Sequence, residues 1–131
     1  MSYRNLEIYR RAYKLALDVH RLSLTFPKHE LYEIGSQLRR AAISVALNIA
    51  EGYGRRNYAL DYTKFLVTGM GSCNEVSVLL EMTKDLGYIH KESCIALQDE
   101  YDHLGRQINK LIQLLKQEVN RKRKTRYYKS E

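Results

Sequence analysis

The 131-residue chain is 44% hydrophobic and 28% charged, which fits one soluble globular domain large enough to bury a core. Its net charge of +7 is unevenly placed: residues 120–131, NRKRKTRYYKSE, hold six Lys/Arg against one Glu, or +5, and leave +2 for the first 119 residues. That split excludes a uniformly basic protein and concentrates any affinity for polyanions at the C-terminus.

One proline, seven glycines and few β-branched residues favour helices, and apolar periodicity gives four of them. The first is predicted over Asn5–Thr25, with Ile8, Ala12, Leu15, Val19 and Leu22 in step, and ends before Pro27. The second is predicted over Leu31–Gly52, burying Leu31, Ile34, Leu38, Ala41, Val45 and Ile49. The third opens with Asn57 as its expected N-cap and Asp61 in its first turn, and closes at Leu86-Gly87. The fourth starts near Lys91 and enters the basic tail, with Leu97, Tyr101, Leu104, Ile108, Leu111 and Leu115 on its stripe. Short connections make neighbours antiparallel, so the expected fold is all-α: an antiparallel up-down four-helix bundle over 1–119, with 120–131 as a basic tail, flexible or a frayed helix end.

No run reaches the ~20 apolar residues that span a bilayer. Arg4, Glu7, Arg10, Arg11 and Lys14 interrupt any secretion signal, so the expected location is cytoplasmic, without a membrane partner. Cys73 and Cys94 lack metal-type spacing and read as free buried thiols. Mid-helix Gly69 and Gly71 each cost about 1 kcal/mol against alanine, which points to a close backbone approach, with Ala41, Ala42 and Ala46 as expected partners.

Two helices carry more apolar surface than one core face needs. Ile43, Leu47 and Ala50 form a second strip on the second helix, and Val67, Gly71, Val78 and Met82 form one on the third. Such strips point to a subunit interface between copies of the chain. Between the two faces of the second helix runs a polar row, Arg40, Ser44, Asn48, Glu51 and Arg55. With Ser72 and Glu75 from the third helix, the residues Arg40, Ser44, Asn48 and Glu51 read as a structural polar network; a ligand site or a catalytic site are the other readings.

Catalysis finds little support. A di-metal carboxylate bundle needs two Glu-x-x-His motifs and two further carboxylates. Glu100 and His103 supply a single such motif, and Glu51 and Glu75 the lone carboxylates. No phosphate loop, nucleophile elbow or Cys/His pairing is present, so neither enzyme activity, nor a cofactor, nor a metal is expected. Nucleic-acid binding has two supports: cations interleave with tyrosine in the tail (Arg121, Lys122, Arg123, Lys124, Arg126, Tyr127, Lys129), and again in the turn at Arg55, Arg56 and Tyr58.

Several motifs recur in a fixed order: FP-x-x-E at Phe26, Pro27 and Glu30; Q-x-RRA-x-x-S at Gln37, Arg39, Arg40, Ala41 and Ser44; NIAEG at Asn48–Gly52; G-S-x-x-E at Gly71, Ser72 and Glu75; and Leu86-Gly87-Tyr88-Ile89. Together they resemble the bacterial four-helix bundle proteins called 23S rRNA intervening sequence proteins, over roughly residues 3–119. Ala46 and Leu47 depart from the small residue or proline frequent before NIAEG, which bears on the local bend of that helix. The resemblance implies a cytosolic bundle in a ring-shaped homo-oligomer, with a pentamer as the first expectation. It also extends to the accessory variability determinants of diversity-generating retroelements, basic bundle rings that bind a reverse transcriptase and nucleic acid. No catalytic residue is carried over. The expected function is therefore a non-catalytic oligomeric bundle binding RNA or DNA, structured RNA foremost, or an RNA-dependent enzyme such as a reverse transcriptase. The alternative is a protein-interaction scaffold.

Overall fold

Ile8, Ala12, Leu15 and Val19 recur at steps of four and three, and they form the buried face of the first helix, α1 (Glu7–Ser23). The structure, a computed structural model, describes residues 2–130, with side chains through Arg126; those residues contain four α-helices and no strand. The others are α2 (Ile34–Gly54), α3 (Ala59–Asp85) and α4 (Lys91–Ser130). Short 3-10 turns occupy Tyr3–Asn5 and Lys28–Glu30.

Helix ends differ from the sequence expectation for identifiable reasons. α1 stops at Ser23 rather than Thr25, because the amides of Leu24, Thr25 and Phe26 bond three residues back and tighten the chain ahead of Pro27. α2 starts at Ile34 rather than Leu31, since the 3-10 turn at 28–30 and the turn after it use those residues. Asn57 does not cap α3; it lies exposed in a turn closed by the Tyr58 amide on Arg55 O at 2.8 Å, and no side chain caps the helix that follows. The other end of α3 closes as expected. Gly87 takes φ +82°, its amide reaches Lys84 O, and the Tyr88 amide reaches Thr83 O, which is a Schellman arrangement.

α2 packs on α1 and α3, α4 packs on α3, and α1 closes lightly against α4. Contacts between α2 and α3 follow opposite chain order: Gly52 meets Tyr62 and Phe65, Asn48 and Val45 meet Gly69, and Ser44 meets Ser72. Those between α3 and α4 do the same, since Gln98 Nε2 donates to Ser77 O (3.0 Å) and Cys94 Sγ to Leu80 O (3.5 Å) near one end, while Leu60 and Val119 share a groove at the other. The core between the helices is apolar, with Leu38, Val45, Ile49, Leu66, Val76, Leu80, Leu104 and Ile108 at most 0% exposed.

The closest backbone approach is at Gly52. A Cβ there would stand 2.9 Å from Tyr62 Cδ1 and 3.1 Å from Phe65 Cβ. Gly69 also serves contact, facing Asn48 Cβ and Val45 O rather than the expected alanines, whereas nothing lies within 4 Å of a Cβ at Gly71.

Two links fasten the end of the molecule where α1 meets α2 and α3 meets α4. The Tyr88 hydroxyl donates to Glu30 Oε2 at 2.8 Å, and the Phe26 and Tyr88 rings lie 5.8 Å apart. Arg39 donates to Ser23 Oγ and to Leu31 O, both at 2.8 Å, joining the end of α1 and the connecting turn to α2.

Gly52→Ala is expected to lower stability by about 1–3 kcal/mol by overpacking, despite alanine's better helix propensity. Gly105→Ala, where a Cβ meets nothing within 4 Å, is expected to raise stability by about 0.5–1 kcal/mol. Urea denaturation of the two variants checks the opposite signs. Burial pushes the Cys73 thiol from 9.0 up to about 12, and burial likewise raises the Tyr101 phenol. Both groups keep their protons in the folded chain and release them sooner when unfolded. Their contribution is therefore complete below pH 9 and is lost as the pH rises towards 12. Denaturation midpoints should fall across that window, and less steeply in Cys73→Ala.

Candidate nucleic-acid interface

The buried face of α4 runs through Tyr101, Leu104, Ile108, Ile112 and Leu115. The same three- and four-residue steps then reach Val119, Lys122 and Arg126, so the face that packs into the bundle turns cationic as it leaves it. α4 continues without a break to Ser130, 40 residues or about 60 Å in all. Facing this cationic stretch is the start of α3. A groove of about 450 Å³ lies between them, lined by Tyr58, Ala59, Leu60 and Asp61 on one side and by Val119, Lys122, Arg123 and Arg126 on the other. It continues between Leu60 and Thr63 on α3 and Lys116, Asn120 and Arg123 on α4.

Four of the expected nucleic-acid residues, Tyr58, Lys122, Arg123 and Arg126, thus meet in one place. Arg55 stands at its edge, with Nη1 4.0 Å from Asp61 Oδ2 and its guanidinium 5.1 Å over the Phe65 ring. Arg56 turns away. It stacks 4.4 Å over the Tyr53 ring and donates to Tyr53 O at 3.1 Å. Beneath it, burial is the main cause that raises the Tyr62 phenol. Arg121 lies on a neighbouring shallow surface with Lys122, Thr125 and Arg126, and Lys124 is exposed but lines neither surface. The side chains of Tyr127 and Lys129 lie outside the described residues. The sequence reading did not assign Leu60, Asp61, Lys116 or Val119 to this interface. The available signal was the step pattern of α4 carried past Leu115.

The polar row resolves into a smaller unit than expected. The Ser44 and Ser72 hydroxyls lie 2.8 Å apart across α2 and α3, and Ser72 Oγ also reaches Thr68 O at 3.2 Å. Asn48 Nδ2 donates to Ser44 O (2.8 Å) and Ser44 Oγ (3.0 Å). Arg40, Glu51 and Glu75 are exposed, and none has a side-chain hydrogen bond or ion pair among the described residues. They sit one step farther from the helix seam, where water solvates them. Arg55 pairs with Asp61 of α3 and not with Glu51 within the row.

Of the second strips, Ile43, Leu47, Val67, Gly71, Val78 and Met82 are exposed and Ala50 is half-buried. The α2 strip lines an apolar groove of about 380 Å³ with α1, whose wall includes Tyr9, Tyr13 and Leu17. Glu100 and His103 are both exposed on α4, and among the described residues no group of three His, Cys, Asp or Glu is placed to hold a metal. No described helix is long and apolar enough to cross a membrane.

Residues 4–110 match the sequence model of the 23S rRNA-intervening sequence proteins. The chain belongs to that family. No curated protein matches the sequence. Within the family match, residues of the motifs quoted above meet one another or the segments beside them. Phe26 and Glu30 meet Tyr88, Arg39 ties the 23–31 turn, Ser72 meets Ser44, and Gly52 receives Tyr62. The groove cations Lys116, Lys122, Arg123 and Arg126 lie beyond residue 110, outside the matched segment.

Proposed function

We propose that this protein is a non-catalytic, up-down helical bundle that assembles into a ring and binds nucleic acid, structured RNA foremost, through the groove between α3 and the basic end of α4. The observation that carries the reading is the meeting of Tyr58 with Lys122, Arg123 and Arg126 around one groove. Cations 64 to 68 residues away along the chain stand opposite an exposed aromatic, which supplies phosphate attraction and a stacking surface together. The family description, which refers to 23S rRNA, is compatible with an RNA partner. The opposite chain order of the α2–α3 and α3–α4 contacts supports the up-down topology.

Assembly is favoured by a separate observation. Leu47 and Val78, each 59% exposed, belong to apolar strips on two different helices. The groove beside Leu47 contains none of the α3 strip. Two unlike surfaces on one chain pair head to tail, and such contacts form a ring where the rotation between copies closes.

Parent protein should bind RNA at low salt with a steep salt dependence. Replacing Lys122, Arg123 and Arg126 with Gln should weaken binding at least tenfold and lower the log–log salt slope by about 2. Undetectable binding by the parent at low salt defeats the nucleic-acid reading. For assembly, light scattering should give an oligomer for the parent and monomers for Leu47→Glu and Val78→Glu separately. Mixed, the two variants should form a dimer, because each retains the surface the other lacks. A monomeric parent at micromolar concentration defeats the ring.

A further inference from the structure

The groove is not built like a simple phosphate cradle. Apolar surface from Tyr58, Ala59, Leu60 and Val119 lines it on both sides, with Tyr58 70% and Leu60 58% exposed. Its cations stand along the α4 side, and a carboxylate, Asp61, lies opposite them. A duplex presents sugars and phosphates on its outside and keeps the flat faces of its bases stacked internally. Against such a surface the apolar lining would go unused, and Asp61 would repel the backbone. An unpaired nucleotide presents a different set of groups: a base face for an aromatic ring, a phosphate for cations, and amino or hydroxyl donors for a carboxylate.

The side chains are disposed for those three contacts. Tyr58 makes no ring or cation contact among the described residues, whereas the nearby Tyr53 and Phe65 rings already carry Arg56 and Arg55. The Asp61 carboxylate is held only loosely by Arg55, at 4.0 Å, and its side chain remains 48% exposed. Lys122, Arg123 and Arg126 follow one another around the rim within little more than one helical turn. The volume of about 450 Å³ falls in the small-ligand range.

We infer that the groove between the start of α3 and the basic end of α4 takes an unpaired nucleotide of a nucleic acid, with its base stacked on Tyr58, its phosphate on Lys122 and Arg126, and Asp61 accepting a hydrogen bond from the base or sugar. This deepens the nucleic-acid reading above and rests on it. Within structured RNA, the segments that meet this requirement are loops, bulges and single-stranded ends.

The test uses the full chain and two fluorescein-labelled RNAs of equal length, a single strand without self-complementarity and a blunt duplex, followed by anisotropy at low salt. The single strand should bind at least tenfold more tightly than the duplex. Tyr58→Ala should weaken single-strand binding about tenfold and leave duplex binding unchanged, the size expected for loss of one stacked base. Tyr58 is exposed, so the variant should keep its helical circular dichroism. The chain contains no tryptophan, so Tyr58→Trp places one indole in the groove. Its fluorescence should be quenched by the single strand and not by the duplex, with single-strand affinity retained. Equal binding of both RNAs with no effect of Tyr58→Ala, or an unquenched indole while anisotropy reports binding, overturns the inference and leaves the nucleic-acid reading standing. If neither RNA binds the parent, that reading fails and the inference falls with it.

Discussion

The nearness of α2 and α3 is the constraint on which the other features depend. At Gly52 there is no room for a side chain, and at Gly69 a Cβ would already touch Asn48. About one turn beyond Gly69 the Ser44 and Ser72 hydroxyls meet directly, with Asn48 completing the chain of hydrogen bonds. Small and short polar residues are what two helical backbones need when they lie this close, because a branched apolar side chain would force them apart. Just ahead of α3, Tyr58 lines one groove with Val119 of α4.

The family motifs acquire a common physical sense in this frame. Phe26, Glu30 and Tyr88 fasten one end of the molecule, Arg39 gathers the turn between α1 and α2, and the serines and glycines set the α2–α3 contact. All of them maintain architecture. The groove draws its cations from beyond the matched segment. Tyr58 and Asp61 of the interface lie inside the matched segment while its cations lie outside it, so changes in the basic end of α4 leave the packing residues untouched.

The four helices were legible because each buried stripe repeats at helical spacing. Ile8, Ala12, Leu15 and Val19 in α1 are buried as read, as are Leu38, Ala41, Val45 and Ile49 in α2. Helix ends were less legible. Asn57 is a good capping residue by type, but the chain turns at Arg55–Tyr58 and leaves it exposed. A helical wheel placed Glu51, Glu75 and Arg40 near the seam without resolving the last few ångströms, and that margin separates a hydroxyl-sized gap from open water. Arg39 was overlooked as a polar anchor because its partners, Ser23 Oγ and the Leu31 carbonyl, come from a turn whose course no periodicity reveals. The candidate groove was legible in its chemistry, tyrosine and cations at two sites, and not in its apolar lining. Leu60 and Val119 look like ordinary apolar positions until α3 and α4 are laid side by side.

The unbroken course of α4 makes the angular position of its cations a matter of counting. Ile108 and Ile112 are locked in the core, and no hinge or loop intervenes before Lys122 and Arg126. One residue added between Leu115 and Lys122 would swing every later side chain by about 100° and carry the cations off the groove, with the basic composition unchanged. Seven added residues would return them close to their original bearing, displaced along the axis by about 10 Å. Among relatives, the phase of the basic residues relative to the core stripe, rather than their number, therefore distinguishes a chain that keeps this groove from one that merely has a positive end.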